Sequence, residues 1–152
     1  MHNNFKSRVV IEKINTYNLT KLGPQFQFAK VDLYIYDSTN EEDLNKVSKV
    51  IKSAMPKDKH GVTNFDLWWE DMSNPTIRIF VDSAVDQQTR AFVTIPHEIE
   101  HAIGEIIDRA IKYKKRDIYP GCEDIALIVG GMTGNFQVSY LNKVGYVLER
   151  RA

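Results

Sequence analysis

The chain has one cysteine, Cys122, so no disulfide can close within it. That suits a reducing compartment, and a cytoplasmic location is expected. Proline and glycine are sparse, at 5 and 8 of 152 residues, which excludes collagen-like and low-complexity classes. Neither sign of charge is in excess: 20 basic and 20 acidic residues balance to a formal net charge of zero. No whole-molecule field therefore pulls the chain toward nucleic acid or an anionic membrane. No run approaches the roughly 18 apolar residues needed to span a bilayer. The opening residues "MHNNFKSRVVIEK" hold no apolar core of signal-peptide length. Internal repeats are missing as well. What is present, 43% hydrophobic and 26% charged residues, is ordinary for a globular protein. A length of 152 residues suits a single domain, residues 1–152, with a sizeable core.

The first half reads as strands around one helix. Residues 31–36, "VDLYIY", alternate and are rich in β-formers, as a strand requires. Ser38, Thr39 or Asn40 then caps a helix reaching about Ala54, with Leu44, Val47, Val50, Ile51 and Ala54 on its apolar stripe. Pro56 and Gly61 bracket a polar loop. "FDLWWE" (65–70) and "TIRIFVD" (76–82) read as further strands, separated by a turn at "SNP". "RVVIEKI" near the start fits either a strand or a short helix. Trp68 and Trp69 are adjacent, so in a strand they point to opposite faces, one into a core and the other either outward as an interface anchor or into a second buried layer.

The second half is helical. Thr94 is the expected N-cap of a helix running to about Arg109, with Pro96 in its first turn, where a missing N–H costs little. "KKRDIYPG" reads as a loop. The basic run "KYKKR" (112–116) fits a solvated helix C-terminus better than a nucleic-acid site. A second helix is expected from Cys122 to Met132 or Thr133, with Gly134 as its stop. Residues 136–148 show no clear period. Strands first and helices second give an α+β domain: a short, mostly antiparallel sheet packed against the two helices.

Within the first of these helices, "HEIEH" (97–101) fits H-E-x-x-H. At about 100° per residue, His97 and His101 lie some 40° apart on one face. Ile99, Ile103, Ile106 and Ala110 gather on the opposite one. The i, i+4 spacing lets both imidazoles reach one metal ion, while Glu98, on the flank at about 100°, can touch a metal-bound water without ligating the metal. Chance alone produces H-E-x-x-H in roughly one chain in 160 of this composition, so a third ligand has to be found. Along the same helix, Gly104 matches the glycine of an extended motif, but the ligand position holds Ile107. Asp108 faces the right way but sits roughly 10 Å along the axis from His101. Glu123 opens the following helix, and its face carries the small residues Ala126, Gly130 and Gly134. Small side chains on that face, and Gly104 opposite, would let the two helices approach closely. The plainer alternative is that Glu123 is a favourable acid in a first turn.

His97-Glu98-x-x-His101 followed by Glu123-x-x-Ala126 resembles the glutamate zincins, the metallopeptidase family of thermolysin. Within that pattern, "HEIEHAIGEIID" and "EDIALIVGGMTG" resemble small phage-encoded zincin-like proteins. The resemblance spans residues 94–134, about a quarter of the chain. It implies a zincin-like domain with zinc held by His97, His101 and Glu123, and Glu98 as general base toward a peptide bond. It also implies a cleft beside the strand that precedes the active helix, for which "TIRIFVD" is in position, with an exposed edge that pairs with an extended peptide. Asp108 or Asp124 would fix an imidazole tautomer. Transition-state donors have no assignable counterpart; His60, Tyr113, Tyr119 and Tyr140 are the candidates. The expected function is therefore a zinc-dependent peptidase acting on a peptide or protein, with no nucleic-acid or membrane partner. The alternatives are a zinc-binding domain without turnover and a metal-free interaction protein, of the kind a phage uses as an adaptor or to inhibit a host protein.

Overall fold

The computed structural model describes residues 11–19, 30–65, 76–112 and 118–145. The alternating segment "KVDLYIY" forms strand β2 (Lys30–Tyr36), following β1 (Glu12–Asn18). Helix α1 (Glu41–Ile51), β3 (Gly61–Phe65) and β4 (Thr76–Asp82) come next, then the long helices α2 (Ile95–Lys112) and α3 (Glu123–Val144). The fold is α+β, as expected. The sheet is mixed, in the order β1-β2-β4-β3. β1 runs antiparallel to β2, and β3 antiparallel to β4. The central pair, β2 and β4, is parallel, in register from Lys30↔Thr76 to Tyr36↔Asp82. A parallel pair needs a crossover, and here α1 and β3 lie within that connection.

Alternation along the two central strands feeds two cores. Val31 and Leu33 of β2 and Ile77, Ile79 and Val81 of β4 join the larger one, with α2 and α3. Tyr36 and Phe80 point the other way, into a smaller core with Leu44 and Val47 of α1 and with Met55. Tyr34 stacks on Phe80, its register partner, at 5.1 Å between centroids. The sheet is thus covered by α1 on one face and by α2 and α3 on the other.

Several expectations need correction. "TIRIFVD" does not offer an exposed edge: β4 is hydrogen-bonded on both sides, and the edge beside α2 belongs to β3. β3 begins at Gly61, the expected end of the polar loop, and runs to Phe65, the expected start of the strand "FDLWWE". Residues 66–75, including Trp68 and Trp69, lie outside the described residues, as does Tyr113. Of the two readings left open for the opening segment, "EKI" (12–14) takes the strand. Asn40 is the cap of α1, its side chain accepting from the Asp43 N–H at 3.2 Å. α3 does not stop at Gly134. It continues ten residues to Val144 and is capped by Gly145 at φ 88°, where a residue without Cβ is least strained. Ile125, Ile128, Met132, Phe136 and Tyr140 form its buried stripe, which carries the helix through its glycines.

Among the described residues, no helix is long and apolar enough to cross a membrane.

Candidate metal centre

Thr94 does not cap α2, because helical backbone already runs upstream of it. Asp86 caps a short turn (Gln87–Thr89), which passes into a π-helical turn (Arg90–Thr94) and then into α2. Pro96 explains the irregularity. It has no N–H to donate, and its ring crowds the carbonyl four residues back, so a regular helix cannot pass through it unstrained. Across the π-turn the Ile95 N–H instead reaches back five residues, to the carbonyl of Arg90. One extra residue in a turn rotates what precedes it by about 100°. In a regular helix Arg90 would share the His97 face; the π-turn brings it round toward the flank that carries Glu98.

That flank and the histidine face border a cavity of about 590 Å³. Arg90, Val93, Thr94, His97, Glu98 and His101 line one side, and residues 58–63 line the other. His97 and His101 are exposed, with ring centroids 4.9 Å apart and planes 82° apart. This is the single-face placement expected from their i, i+4 spacing.

Glu98 is buried at 5% exposure, on the side of α2 against β3. The Thr63 hydroxyl lies 2.6 Å from its carboxylate Oε1 and 3.0 Å from its backbone carbonyl. Gly61 lets strand and helix meet here. A Cβ at that position would stand 2.5 Å from the Thr94 methyl and 3.1 Å from Glu98 Oε2, closer than packed atoms tolerate. Neither Thr63 nor Gly61 carries a sequence signal, since both lie at the edge of what reads as a polar loop.

His60 is anchored from behind. Its Nδ1 is 2.8 Å from Oδ2 of Asp82, a fully buried carboxylate at the end of β4. The same carboxylate accepts from the Ser38 hydroxyl at 2.5 Å, the Ser38 N–H at 3.1 Å and the Ala84 N–H at 2.9 Å. Of the donors considered from sequence, His60 lines the cavity. Tyr140 is buried and donates its hydroxyl to the Asp82 carbonyl at 2.6 Å, tying α3 to β4, and Tyr119 is exposed at 55%. The 22-position separation of His60 and Asp82 along the chain conceals this pair in the sequence.

Glu123 is placed differently. It is exposed in the first turn of α3, and Ala126, Leu127, Gly130 and Gly134 on its face are exposed with it. That face lies opposite the buried stripe. Among the described residues, nothing lies within 4 Å of where a Cβ would be on Gly104, Gly130 or Gly134, so they mediate no close helix approach there. Gly131, off that face, does lie in a contact: a Cβ there would stand 2.6 Å from the Tyr17 hydroxyl. Among the described residues no three His, Cys, Asp or Glu side chains form a group that could hold an ion. His97, Glu98 and His101 thus share the cavity, and Glu123 is not grouped with them. Asp108 is exposed further along α2.

No family model, curated protein or solved structure matches the chain.

Proposed function

We propose that the protein is a zinc-dependent peptidase whose reaction site is the cavity between α2 and the β3 edge. The observation that carries this reading is the convergence of His97, Glu98 and His101 on that cavity, with Glu98 buried and held by Thr63. His97 and His101 would hold the ion as neutral imidazoles. Glu123 is the proposed third ligand on the strength of the resemblance, and its recruitment requires the first turn of α3 to re-seat. Bound zinc supplies an acidified water and polarises a carbonyl oxygen.

Glu98 is the general base. Thr63 occupies Oε1 and fixes the carboxylate plane, and Oε2 remains to accept a proton and pass it on to a leaving amine. The buried helix face holds Glu98 against the strand, so its rotamer is set before any substrate arrives. His60, oriented through Asp82, faces the cavity and is the donor placed to contact a bound peptide. β3 is an edge among the described strands, and its backbone groups would pair with an extended chain.

The test is hydrolysis of a mixed peptide pool by zinc-loaded protein, followed by mass spectrometry. New cleavage products that vanish with Glu98→Gln, while zinc is retained, support the peptidase. Zinc retention without cleavage in either protein favours a binding domain. No zinc in either favours the metal-free interaction protein.

A further inference from the structure

Arg90 lines the same cavity as His97, Glu98 and His101. Among the described residues its Nε is buried without a hydrogen-bond partner. A guanidinium stays charged at every physiological pH and presents five N–H donors in a planar fork. A buried donor without an acceptor is costly; Nε itself is closed off, but Arg90 as a whole is half-buried on the cavity wall, so a ligand there can supply the acceptor for the rest of its fork.

The acids around Arg90 are engaged elsewhere. Glu98 gives Oε1 to Thr63. The Asp82 carboxylate is filled by Ser38, Ala84 and His60. Asp86 accepts from the Thr89 hydroxyl and N–H; the Arg90 charge also helps lower its carboxyl, but no hydrogen bond or ion pair joins the two side chains among the described residues. Asp58 lines the cavity from the exposed loop opposite, and no ion pair joins it to Arg90 among the described residues. Arg90 and Glu98 nevertheless work on the same corner of the molecule. The Tyr36 hydroxyl, raised above its ordinary pKa chiefly by burial and then by Asp82, is lowered by Arg90 and raised by Glu98. The π-turn is what brings the guanidinium to that corner, and such turns recur at functional sites.

We propose that Arg90 is the specificity residue of the cavity: it binds a carboxylate of the substrate, so that acidic peptides are selected. The carboxylate is either an acidic side chain or a free C-terminus. This rests on the cavity being the substrate site proposed above. A planar guanidinium matches a carboxylate through two parallel N–H···O bonds, which a neutral side chain cannot offer.

The experiment reads binding without turnover, using three fluorophore-labelled hexapeptide pools. One contains glutamate and is amidated at its C-terminus. One lacks acids but keeps a free C-terminal carboxylate. One lacks acids and is amidated. Fluorescence anisotropy with wild-type protein should show one of the carboxylate pools binding about tenfold or more tighter than the neutral pool. The preferred pool identifies the source of the carboxylate. Arg90→Gln should remove the preference, Arg90→Lys should retain part of it, and Lys143→Gln, distant on α3, should leave it whole. Equal binding of all three pools to wild type overturns the proposal without any variant, as does a preference that survives Arg90→Gln. A protein that prefers acidic pools but cuts none keeps this inference and loses the peptidase reading. One that cuts neutral and acidic peptides alike does the reverse.

Discussion

Thr63 and Glu98 form the link between sheet edge and helix: one hydroxyl sits 2.6 Å from the carboxylate and 3.0 Å from the carbonyl of the same residue. A threonine on an edge strand thereby sets the orientation of the proposed base, and it joins two elements whose sequences give no hint of contact.

Thr63→Val keeps the shape and removes the donor. A buried carboxylate then loses a charge-assisted hydrogen bond, which costs about 1.5–3 kcal/mol. Urea unfolding should show a lower midpoint with an unchanged slope. Any hydrolysis should fall with it, because Glu98 is no longer held. A midpoint equal to wild type would show that the contact contributes nothing.

Gly134→Ala should stabilise the protein by about 0.5–1 kcal/mol, since a helical glycine in open space gains propensity when a methyl group is added. Gly131→Ala should do the opposite, because its Cβ would meet the Tyr17 ring. Thermal melts of the two variants, moving apart from wild type in opposite directions, check the helix orientation. A destabilised Gly134→Ala would instead restore the close helix packing expected from the small residues.

Asp86 caps the lead into α2, and its carboxyl is held below its ordinary value of 3.8 first by the Thr89 hydroxyl and then by the Thr89 N–H. As pH falls, the unfolded chain takes up this proton before the folded one does. The cap's electrostatic contribution is therefore complete above about pH 4 and is lost as pH falls through the lowered value. Asp86→Asn keeps the cap's shape and tolerates its left-handed backbone, φ 40°. Denaturant titrations from pH 7 to pH 2 should show the stability gap between wild type and variant closing below pH 4. A gap that is constant over that range would contradict the assignment.

Periodicity made much of this molecule readable. The alternation of "KVDLYIY" and "TIRIFVD", the Asn40 cap and the opposed faces of α2 all appear in the structure where local patterns put them. Thr94 and Pro96 misled because their N-terminal signal is local, whereas the chain continues its helix upstream through a π-turn. Gly134 misled because tertiary burial of Met132, Phe136 and Tyr140 outweighs a glycine's propensity. Exposed Leu127 and Val138 also blurred the stripe that would have shown α3 to be long. β3 is five residues with little alternation, and only its partners define it. In the cavity, the His97–Glu98–His101 spacing was legible. Thr63, His60–Asp82 and Arg90 were not, since each depends on which strand lies beside which helix.

His97 and His101 are proposed to hold zinc. Protein saturated with zinc and dialysed should carry about one equivalent by elemental analysis. His101→Ala should lose it and Glu98→Gln should keep it. Loss in Glu123→Ala would show that α3 re-seats to complete the ligand set; retention there would assign the third position elsewhere. Wild-type protein that retains no zinc, or His101→Ala that retains as much as wild type, would contradict the account.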